Sequence, residues 1–179
     1  MQKKKIFIEI QIPDQVKRRL AKTTEKWNDL PIKWSKQANL HITLSFIGYV
    51  DESVIPEICF KTSEAVANVE AFDLEMDKIT FYPDPQHPKT ILVTGQADEE
   101  LKNLHESVQR SLGMGVQSFK QFKPHITLGK IREEKWEALE EKPQIDEQVK
   151  IVVPVEYVSV MESKGGGAEY VSLEDCPLG

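Results

Sequence analysis

The sequence predicts a single domain of mixed strands and helices, built from two similar halves, and three observations support this fold class. The 179 residues, 40% hydrophobic and 29% charged, suit one globular core. Strand-like and helix-like segments follow each other in the same order in both halves. The tetrapeptide His-Ile-Thr-Leu occurs at residues 41–44 and again at 125–128, at nearly the same distance from the first strand of its half.

The first half, residues 1–82, contains strand patterns separated by two helix patterns. Runs rich in apolar or β-branched residues predict strands at 6–12, 39–50 and 72–82, with a short extended piece at 31–34. Apolar residues at helical spacing, with a proline at or near each start, predict helices at 13–27 and 52–69.

The second half, residues 83–179, repeats this order after a loop at 83–88. Helices are predicted at 98–112, ended by glycines at 113–115, and at 133–141. Strands are predicted at 90–95, at 122–131 and, as one long strand, at 149–162. Gly165–Gly167 and a return strand predict a closing hairpin with a flexible turn. The shared order favours an internal duplication, in which two lobes face each other about a pseudo-twofold axis.

The repeated tetrapeptide combines an apolar anchor with two polar side chains. In a strand, successive side chains point to opposite faces, so His41 and Thr43 share one face while Ile42 and Leu44 share the other. The second copy has the same alternation. If a twofold relates the lobes, two imidazoles and two hydroxyls meet in one cleft.

Phosphodiester cleavage suits this set of side chains. Histidine titrates near neutral pH, so His41 and His125 can act as a general base and a general acid. The hydroxyls of Thr43 and Thr127 can donate to phosphate oxygens. Several basic side chains lie near the two motifs in sequence: Lys33, Lys36, Lys120, Lys123, Lys130 and Arg132.

The histidines and cysteines of the chain also allow other interpretations. Two histidines could bind zinc, but a catalytic zinc site usually has a third protein ligand, and no HxH, HExxH or cysteine pair is present. His87 is expected in a solvated loop and His105 at the surface or boundary of its helix. Cys59 and Cys176 lack a CxxC pattern and are expected to be free thiols in a reducing compartment.

Charge and the N-terminal segment narrow the class of protein. A net charge of −6 argues against a broad, non-specific grip on nucleic acid, although it allows a site for one phosphate. The apolar strip at the start ends at Pro13, too short for a signal sequence, and no run could span a bilayer. We therefore expect a cytoplasmic protein.

Several segments resemble the two-histidine (2H) phosphoesterases, above all the bacterial and archaeal RNA 2′,3′-cyclic phosphodiesterases, also called 2′-5′ RNA ligases. The likeness covers nearly the whole chain and includes the stretches KIFIEIQIP, IKWSKQANLHITLSFIGYV, FKPHITLGKI and VSVMESKGGGAEYVSL. Within them, the positions that carry the resemblance beside the two motifs are Trp34, Gly48, Phe122, Pro124, Ser163 and Tyr170.

The resemblance implies a bilobal α+β fold, in which each lobe has an antiparallel sheet flanked by helices and a catalytic cleft lies between the lobes. It implies metal-independent, cofactor-free opening of a 2′,3′-cyclic phosphate, typically to a 2′-phosphate, on RNA ends or small cyclic-phosphate nucleotides by a monomer. His41 with Thr43, and His125 with Thr127, match the family's motifs. Lys130 stands where many relatives have arginine, so it keeps the charge but loses the bidentate fork.

Two further interpretations stay open at this point: a non-catalytic nucleotide-binding domain, and a structural domain with unlinked histidines. Within the enzyme class, the substrate could be a tRNA-derived end, a small cyclic nucleotide, an ADP-ribose cyclic phosphate or a 2′-5′ linkage. Which histidine is the acid and which the base cannot be read from the sequence.

Overall fold

A computed structural model describes residues 2–113 and 122–179. The strands in this part are β1 (Lys3–Ile10), β2 (Ile32–Trp34), β3 (Ile42–Asp51), β4 (Phe72–Tyr82), β5 (Thr90–Gly95), β6 (His125–Ile131), β7 (Asp146–Val155), β8 (Tyr157–Lys164) and β9 (Glu169–Pro177). The helices are α1 (Asp14–Thr24), α2 (Ile55–Val66), α3 (Glu99–Ser111) and α4 (Glu133–Glu137). No helix among the described residues is long and apolar enough to cross a membrane.

The strands form one antiparallel sheet in the order β7-β4-β5-β6-β3-β1-β8-β9, with β2 paired to β6. We call β1, β3, β8 and β9 the first strand group, and β4, β5, β6 and β7 the second strand group. The described residues of β3 and β6 pair at a single position, Ile42 with Ile126. The predicted α+β fold class is therefore confirmed, and the two groups meet edge to edge at the repeated tetrapeptides.

The chain exchanges strands between the two groups. β4 belongs to the predicted first half but pairs with β5 and β7 in the second strand group. β8 and β9 belong to the predicted second half but join β1 in the first strand group. The duplication with a division near residue 82 stays a prediction, and each predicted half contributes strands to both groups.

The core lies on the helix-covered face of the sheet. Ile6, Ile8 and Ile10 of β1 have no exposed surface, as alternation within a strand requires for one buried face. α3 turns Leu101, Leu104 and Val108 into the same core. α3 is also tied to α2, because Ser107 Oγ donates to Ala65 O (2.8 Å) and Ser111 Oγ to Lys61 O (2.9 Å). The other face of the sheet, which we call the open face, carries the alternate residues of the strands, among them Glu9, Thr43 and Thr127.

The structure corrects two sequence-based predictions. The single strand predicted at 149–162 is two strands, because the chain leaves the second group after Val155 and enters the first at Tyr157. Both pieces are rich in β-branched residues, so their composition does not reveal the crossing. His105, predicted at the surface or boundary, is only 4% exposed and stacks on Phe122 with ring centroids 4.2 Å apart.

The closing hairpin is confirmed. β8 and β9 pair along their length, and Gly165–Gly167 make the turn between them. All three glycines have positive φ (59°, 67° and 94°), which side chains with a Cβ rarely adopt. The predicted helices are present but shorter: that at 13–27 ends at Thr24, and that at 133–141 ends at Glu137. Of the glycine break at 113–115, residues 114 and 115 lie outside the described part.

Ile126→Ala should lower the free energy of unfolding by about 2–5 kcal/mol, because it removes a wholly buried side chain at the junction of the two strand groups. Urea unfolding followed by circular dichroism measures this loss. Val152→Ala is the matched control, since Val152 is 39% exposed and should lose less than about 1 kcal/mol. Equal losses for the two variants would contradict a core that runs through the junction.

Candidate functional site

The four motif side chains lie together on the open face at the junction. Ile42 and Ile126 are paired and wholly buried, so their neighbours in each strand point the other way. Continuing the antiparallel register by one residue in each direction sets His41 opposite Thr127 and Thr43 opposite His125. Side chains opposite each other across two strands share a face. Two histidines and two threonines thus occupy the corners of one small surface, each histidine beside its own threonine and across from the other.

Hydrogen bonds determine which nitrogen of His41 is available for proton transfer. Nδ1 lies 2.7 Å from the carbonyl oxygen of Asn39. A carbonyl only accepts, so Nδ1 carries a proton and donates it. Nε2 lies 3.0 Å from Thr43 Oγ1 and accepts from that hydroxyl when the ring is neutral. His41 therefore presents an unprotonated Nε2 to the open face.

His125 repeats this arrangement in the second strand group. Its Nδ1 lies 3.3 Å from the carbonyl oxygen of Lys123, again two residues before the histidine. The donation from Nδ1 leaves Nε2 as the exchangeable nitrogen here too. His125 is exposed, whereas His41 is partly buried. The two rings therefore share a tautomer but differ in their access to water.

Aromatic side chains enclose His41. The ring of Phe7 in β1 lies 5.2 Å from the imidazole, and that of Tyr170 in β9 lies 5.1 Å away in an edge-to-face arrangement. Phe7 and Tyr170 also contact each other at 5.3 Å. Asn39 Nδ2 donates to Ala168 O (3.3 Å), which ties the closing hairpin to the chain just before the motif. These contacts hold the ring in one orientation.

Burial lowers the pKa of His41 below the value of a free histidine side chain. Desolvation is the main cause of its lowered pKa, and the hydrogen bond to Asn39 opposes it. The positive charges of His125 and Lys17 lower the pKa further. The effect of His125 shows that the two histidines interact electrostatically. His41 is thus biased toward the neutral imidazole at neutral pH.

Glu9 is a buried acid beside His41 that the sequence analysis missed. It is 4% exposed, and its Oε2 lies 3.9 Å from His41 Nδ1. Burial raises the pKa of Glu9 to about 7, an effect that Lys17 opposes and Asp175 reinforces. Gln11 Nε2 donates to Glu9 Oε1 (3.2 Å). A glutamate in an alternating strand is typical of a solvated face, so no sequence pattern marked it.

Glu9 also breaks the symmetry between the two motifs. It pairs with Thr43 across β1 and β3, and the residue paired with Thr127 across β5 and β6 is Leu92. The first motif thus has an ionisable neighbour where the second has an apolar one. A second acid–base group, Glu9, therefore lies 3.9 Å from Nδ1 of His41.

A β-bulge places Lys130 on the open face. Strict alternation would put it with Ile126 and Leu128, which are buried. The register with β5 skips Leu128, since Ile91 pairs with Gly129 and Leu92 with Thr127. The extra residue turns Lys130 to the same side as Thr127, and Lys130 is exposed.

Lys33 lies beside Lys130 on the open face, because β2 and β6 pair these two residues. Both are exposed. No ion pair within 4.0 Å engages either lysine among the described residues. Lys120, named with them from the sequence, lies outside the described part. A positive patch therefore continues from Thr127 along β6.

The remaining candidates take no part in this cluster. His87 is in an exposed loop, as predicted, 3.4 Å from Glu137. Cys59 and Cys176 are free, and burial raises the pKa of both thiols, which disfavours a reactive thiolate. Within residues 2–113 and 122–179, no three His, Cys, Asp or Glu side chains are grouped as metal ligands. The third ligand that a catalytic zinc site needs is thus not found there.

Comparison with known proteins assigns the chain to a family. Residues 12–167 match the model of the 2′-5′ RNA ligase superfamily. A protein of Thermotoga maritima named RNA 2′,3′-cyclic phosphodiesterase is 28% identical over 138 residues, 74% of each chain. A protein of Aeropyrum pernix with the same name is 37% identical over 108 residues, 58% of this chain and 59% of that one.

Solved structures show the same fold. TT0787 of Thermus thermophilus superposes with a TM-score of 0.80 at 20% identity, over 97% of both chains. LigT of Escherichia coli, solved with 3′-AMP, superposes with a TM-score of 0.76 at 18% identity, over 99% of both chains. Because the match covers most of the sequence and includes both motifs, the chain belongs to the 2′-5′ RNA ligase superfamily.

Proposed function

We propose that this protein is a metal-independent cyclic phosphodiesterase that opens 2′,3′-cyclic phosphates, at RNA ends or on nucleotides, to 2′-phosphomonoesters. The observation that carries the proposal is the grouping of His41, Thr43, His125 and Thr127 on one open face, with each histidine held through Nδ1. Relatives named RNA 2′,3′-cyclic phosphodiesterase support the substrate class.

The reaction needs one proton acceptor and one proton donor. One histidine accepts a proton from water as the water oxygen forms a bond to phosphorus. The bond from phosphorus to the ribose 3′ oxygen breaks, and the other histidine protonates that oxygen. The products are a 2′-phosphate and a free 3′ hydroxyl, and the two histidines end with exchanged protonation states.

Burial favours His41 as the base in this direction. Its lowered pKa and its protonated Nδ1 leave Nε2 free to accept a proton at neutral pH. His125, in contact with solvent, then acts as the acid and regains its proton from water. A 5′ hydroxyl in place of water would give a 2′-5′ linkage by the same transfers. Cleavage of that linkage back to the cyclic phosphate exchanges the two roles.

Hydroxyls and lysines would hold the phosphate between the histidines. Thr43 and Thr127 can donate to the non-bridging oxygens, and Thr43 must then turn from His41 Nε2 toward the phosphate. Lys130 faces the same side and supplies a positive charge without the fork of an arginine. These donors stabilise the charge that develops on the phosphate in the transition state.

His41→Ala and His125→Ala should each lower kcat for a 2′,3′-cyclic mononucleotide by about 10²- to 10⁴-fold, because each removes one proton-transfer group. The rates are measured by chromatography, which follows the formation of the 2′-phosphate product over time. His87→Ala is the matched control, since His87 is an exposed loop histidine outside the cluster and should retain the activity.

Treatment with a chelator distinguishes a metal-independent reaction from one that requires zinc. Incubation with EDTA should leave kcat unchanged. Loss of activity that zinc restores would contradict the proposal. Binding of the nucleotide without turnover by the wild-type protein would instead favour a non-catalytic nucleotide-binding domain.

Glu9→Gln should leave the acidic limb of the kcat/KM profile unchanged. Burial raises the pKa of Glu9 to about 7 and lowers the pKa of His41 from 6.5, so Glu9 is largely protonated at the pH at which His41 titrates, and glutamine keeps a neutral side chain there. The other ionisable groups acting on this pair are Lys17 from α1, His125 from β6 and Asp175 from β9, and the substitution keeps all three. Profiles from pH 5 to 9, with exposed Glu70→Gln as control, measure the position of the limb; a shift to lower pH for Glu9→Gln alone would contradict a protonated Glu9 beside the base.

Glu9→Gln should also flatten the dependence of stability on pH. The pKa of Glu9 is about 7 in the folded protein against 4.5 for the free group, so the folded state binds the proton more tightly. That stabilisation is complete below about pH 4.5 and is lost as the pH rises through 7, to a total of about 3 kcal/mol. Urea unfolding at pH 5 and pH 8 should show a smaller difference for the variant; equal differences would contradict a buried acid.

A further inference from the structure

Two strands share one edge of β6. Along the other edge, β5 pairs with residues 125–130. On the shared edge, β3 pairs at Ile126, whereas β2 pairs at residues 129–131. Thr127 and Leu128 therefore lie where the partner of β6 changes from β3 to β2, in the middle of the second motif.

Ser35 occupies this gap. It directly follows β2, and its two donors bind consecutive carbonyls of β6. The backbone N–H donates to Leu128 O (2.8 Å), and the side-chain Oγ donates to Thr127 O (3.2 Å). The register with β5 skips Leu128, so Leu128 is the extra residue of the bulge and is left out of the ladder with β5. Ser35 thus binds the bulge from the opposite edge of the strand.

Gly129 allows β2 to approach β6 closely beside this bulge. A Cβ at this position would lie 2.7 Å from Ile32 Cγ2, 3.0 Å from Lys33 O and 3.2 Å from Trp34 Cε3. The first distance is shorter than a Cβ atom tolerates, and the second is to backbone, which cannot yield without moving the strand. The absence of a side chain at Gly129 therefore lets Ser35 reach the carbonyls of β6.

The two copies of the motif share the bulge but differ in what the bulge places on the open face. In the first copy, the register of β1 with β3 skips Leu44, and the residue two positions later is Phe46. In the second copy, the residue two positions after Leu128 is Lys130. A positive charge beside the phosphate therefore depends on the second bulge, which is the one that Ser35 binds.

We propose that Ser35 is a positioning residue for the reaction: its two hydrogen bonds fix the bulge of β6 and thereby hold Thr127 and Lys130 against the phosphate. This inference rests on the proposed function, and it adds a residue that touches neither the substrate nor the histidines. Thr127 directly precedes Leu128, and Lys130 follows it by two positions, so a shift of the bulge displaces both groups together.

The position of the bulge matters because phosphate donors act over short distances. A donor stabilises the charge of the transition state only when it lies about 3 Å from the oxygen that carries the charge. A misplacement of about 1 Å is enough to lower a rate substantially. The connection that begins at Ser35 also ends at the first motif, where Asn39 O accepts from His41 Nδ1 (2.7 Å). One short segment therefore holds the backbone of the second motif and the catalytic ring of the first.

The first test is removal of the hydroxyl. Ser35→Ala should lower kcat for a 2′,3′-cyclic mononucleotide by about 2- to 12-fold, which corresponds to the usual net contribution of one hydrogen bond. Ser35→Thr should restore the rate, since threonine keeps the donor. Ser107→Ala is the matched control, because it removes a similar bond, from Ser107 Oγ to Ala65 O (2.8 Å), between two helices. An unchanged kcat in Ser35→Ala, or an equal fall in Ser107→Ala, would overturn the proposal.

A double-mutant cycle separates positioning from a general loss of folded protein. In Thr127→Val and Lys130→Ala backgrounds, Ser35→Ala should lower kcat by a smaller factor, because one of the groups that it displaces is already absent. In a Thr43→Ala background the full factor should remain, since Thr43 belongs to β3. Loss of folded protein would lower kcat by the same factor in every background, and that result would overturn the proposal.

A second variant displaces β2 without removing the hydroxyl. Gly129→Ala should lower kcat as well, because its Cβ pushes β2 and Ser35 away from β6. Adding Ser35→Ala to Gly129→Ala should then lower kcat little further, since the bond to Thr127 O is already lost. Full, independent effects of the two substitutions would contradict a shared action on the bulge.

A binding measurement keeps this inference distinct from the proposed function. If the wild-type protein does not turn over the cyclic mononucleotide, the proposed function fails. Calorimetric titration with adenosine 2′-monophosphate then decides the role of Ser35 alone. Weaker binding by Ser35→Ala than by Ser107→Ala and the wild-type protein would support the positioning of the phosphate donors, and equal binding by all three would overturn it.

Discussion

The packing of Ile42 against the core beside Ile126 is the constraint on which the site depends. In the part of the chain that the structure describes, these two residues form the single backbone pair between the two strand groups, and both are wholly buried. Because strand side chains alternate, burying the isoleucines turns the histidine and threonine on either side of each toward solvent. The hydrophobic effect at one pair of isoleucines thus sets the positions of four polar side chains. This positioning does not require a direct contact between His41 and His125.

β3 and β6 carry the same tetrapeptide, but its chemical surroundings differ because different residues pair with the two strands. Both tetrapeptides have a bulge at their leucine and a histidine held by the carbonyl two residues earlier. The first, however, faces a buried acid, Glu9, and is enclosed by the ring of Tyr170, whereas the second stays in water. Desolvation lowers the pKa of His41, and a buried carboxyl lies 3.9 Å from its Nδ1, so the two copies of the motif have different surroundings.

Distant parts of the chain build the surroundings of His41. Glu9 comes from the first strand, while Tyr170 comes from the hairpin that closes the chain. The hairpin reaches the first strand group because the chain crosses between groups at Glu156. The exchange of β4 in the other direction interlocks the two groups. Loosening either crossing should therefore disturb the site as well as the fold, since no continuous segment contains all of it.

The sequence by itself determined the α+β class, the hairpin at the glycines and the two histidine–threonine pairs, because period-two alternation, turn glycines and a repeated motif are local patterns. Only the tertiary structure decided which residues beyond the motifs share their face. Bulges at Leu44 and Leu128 depend on pairing with β1 and β5, so alternation alone misplaces Phe46 and Lys130. Burial also depends on what packs above a residue. The sequence patterns around Glu9 and His105 are typical of surface positions, but the fold buries both side chains.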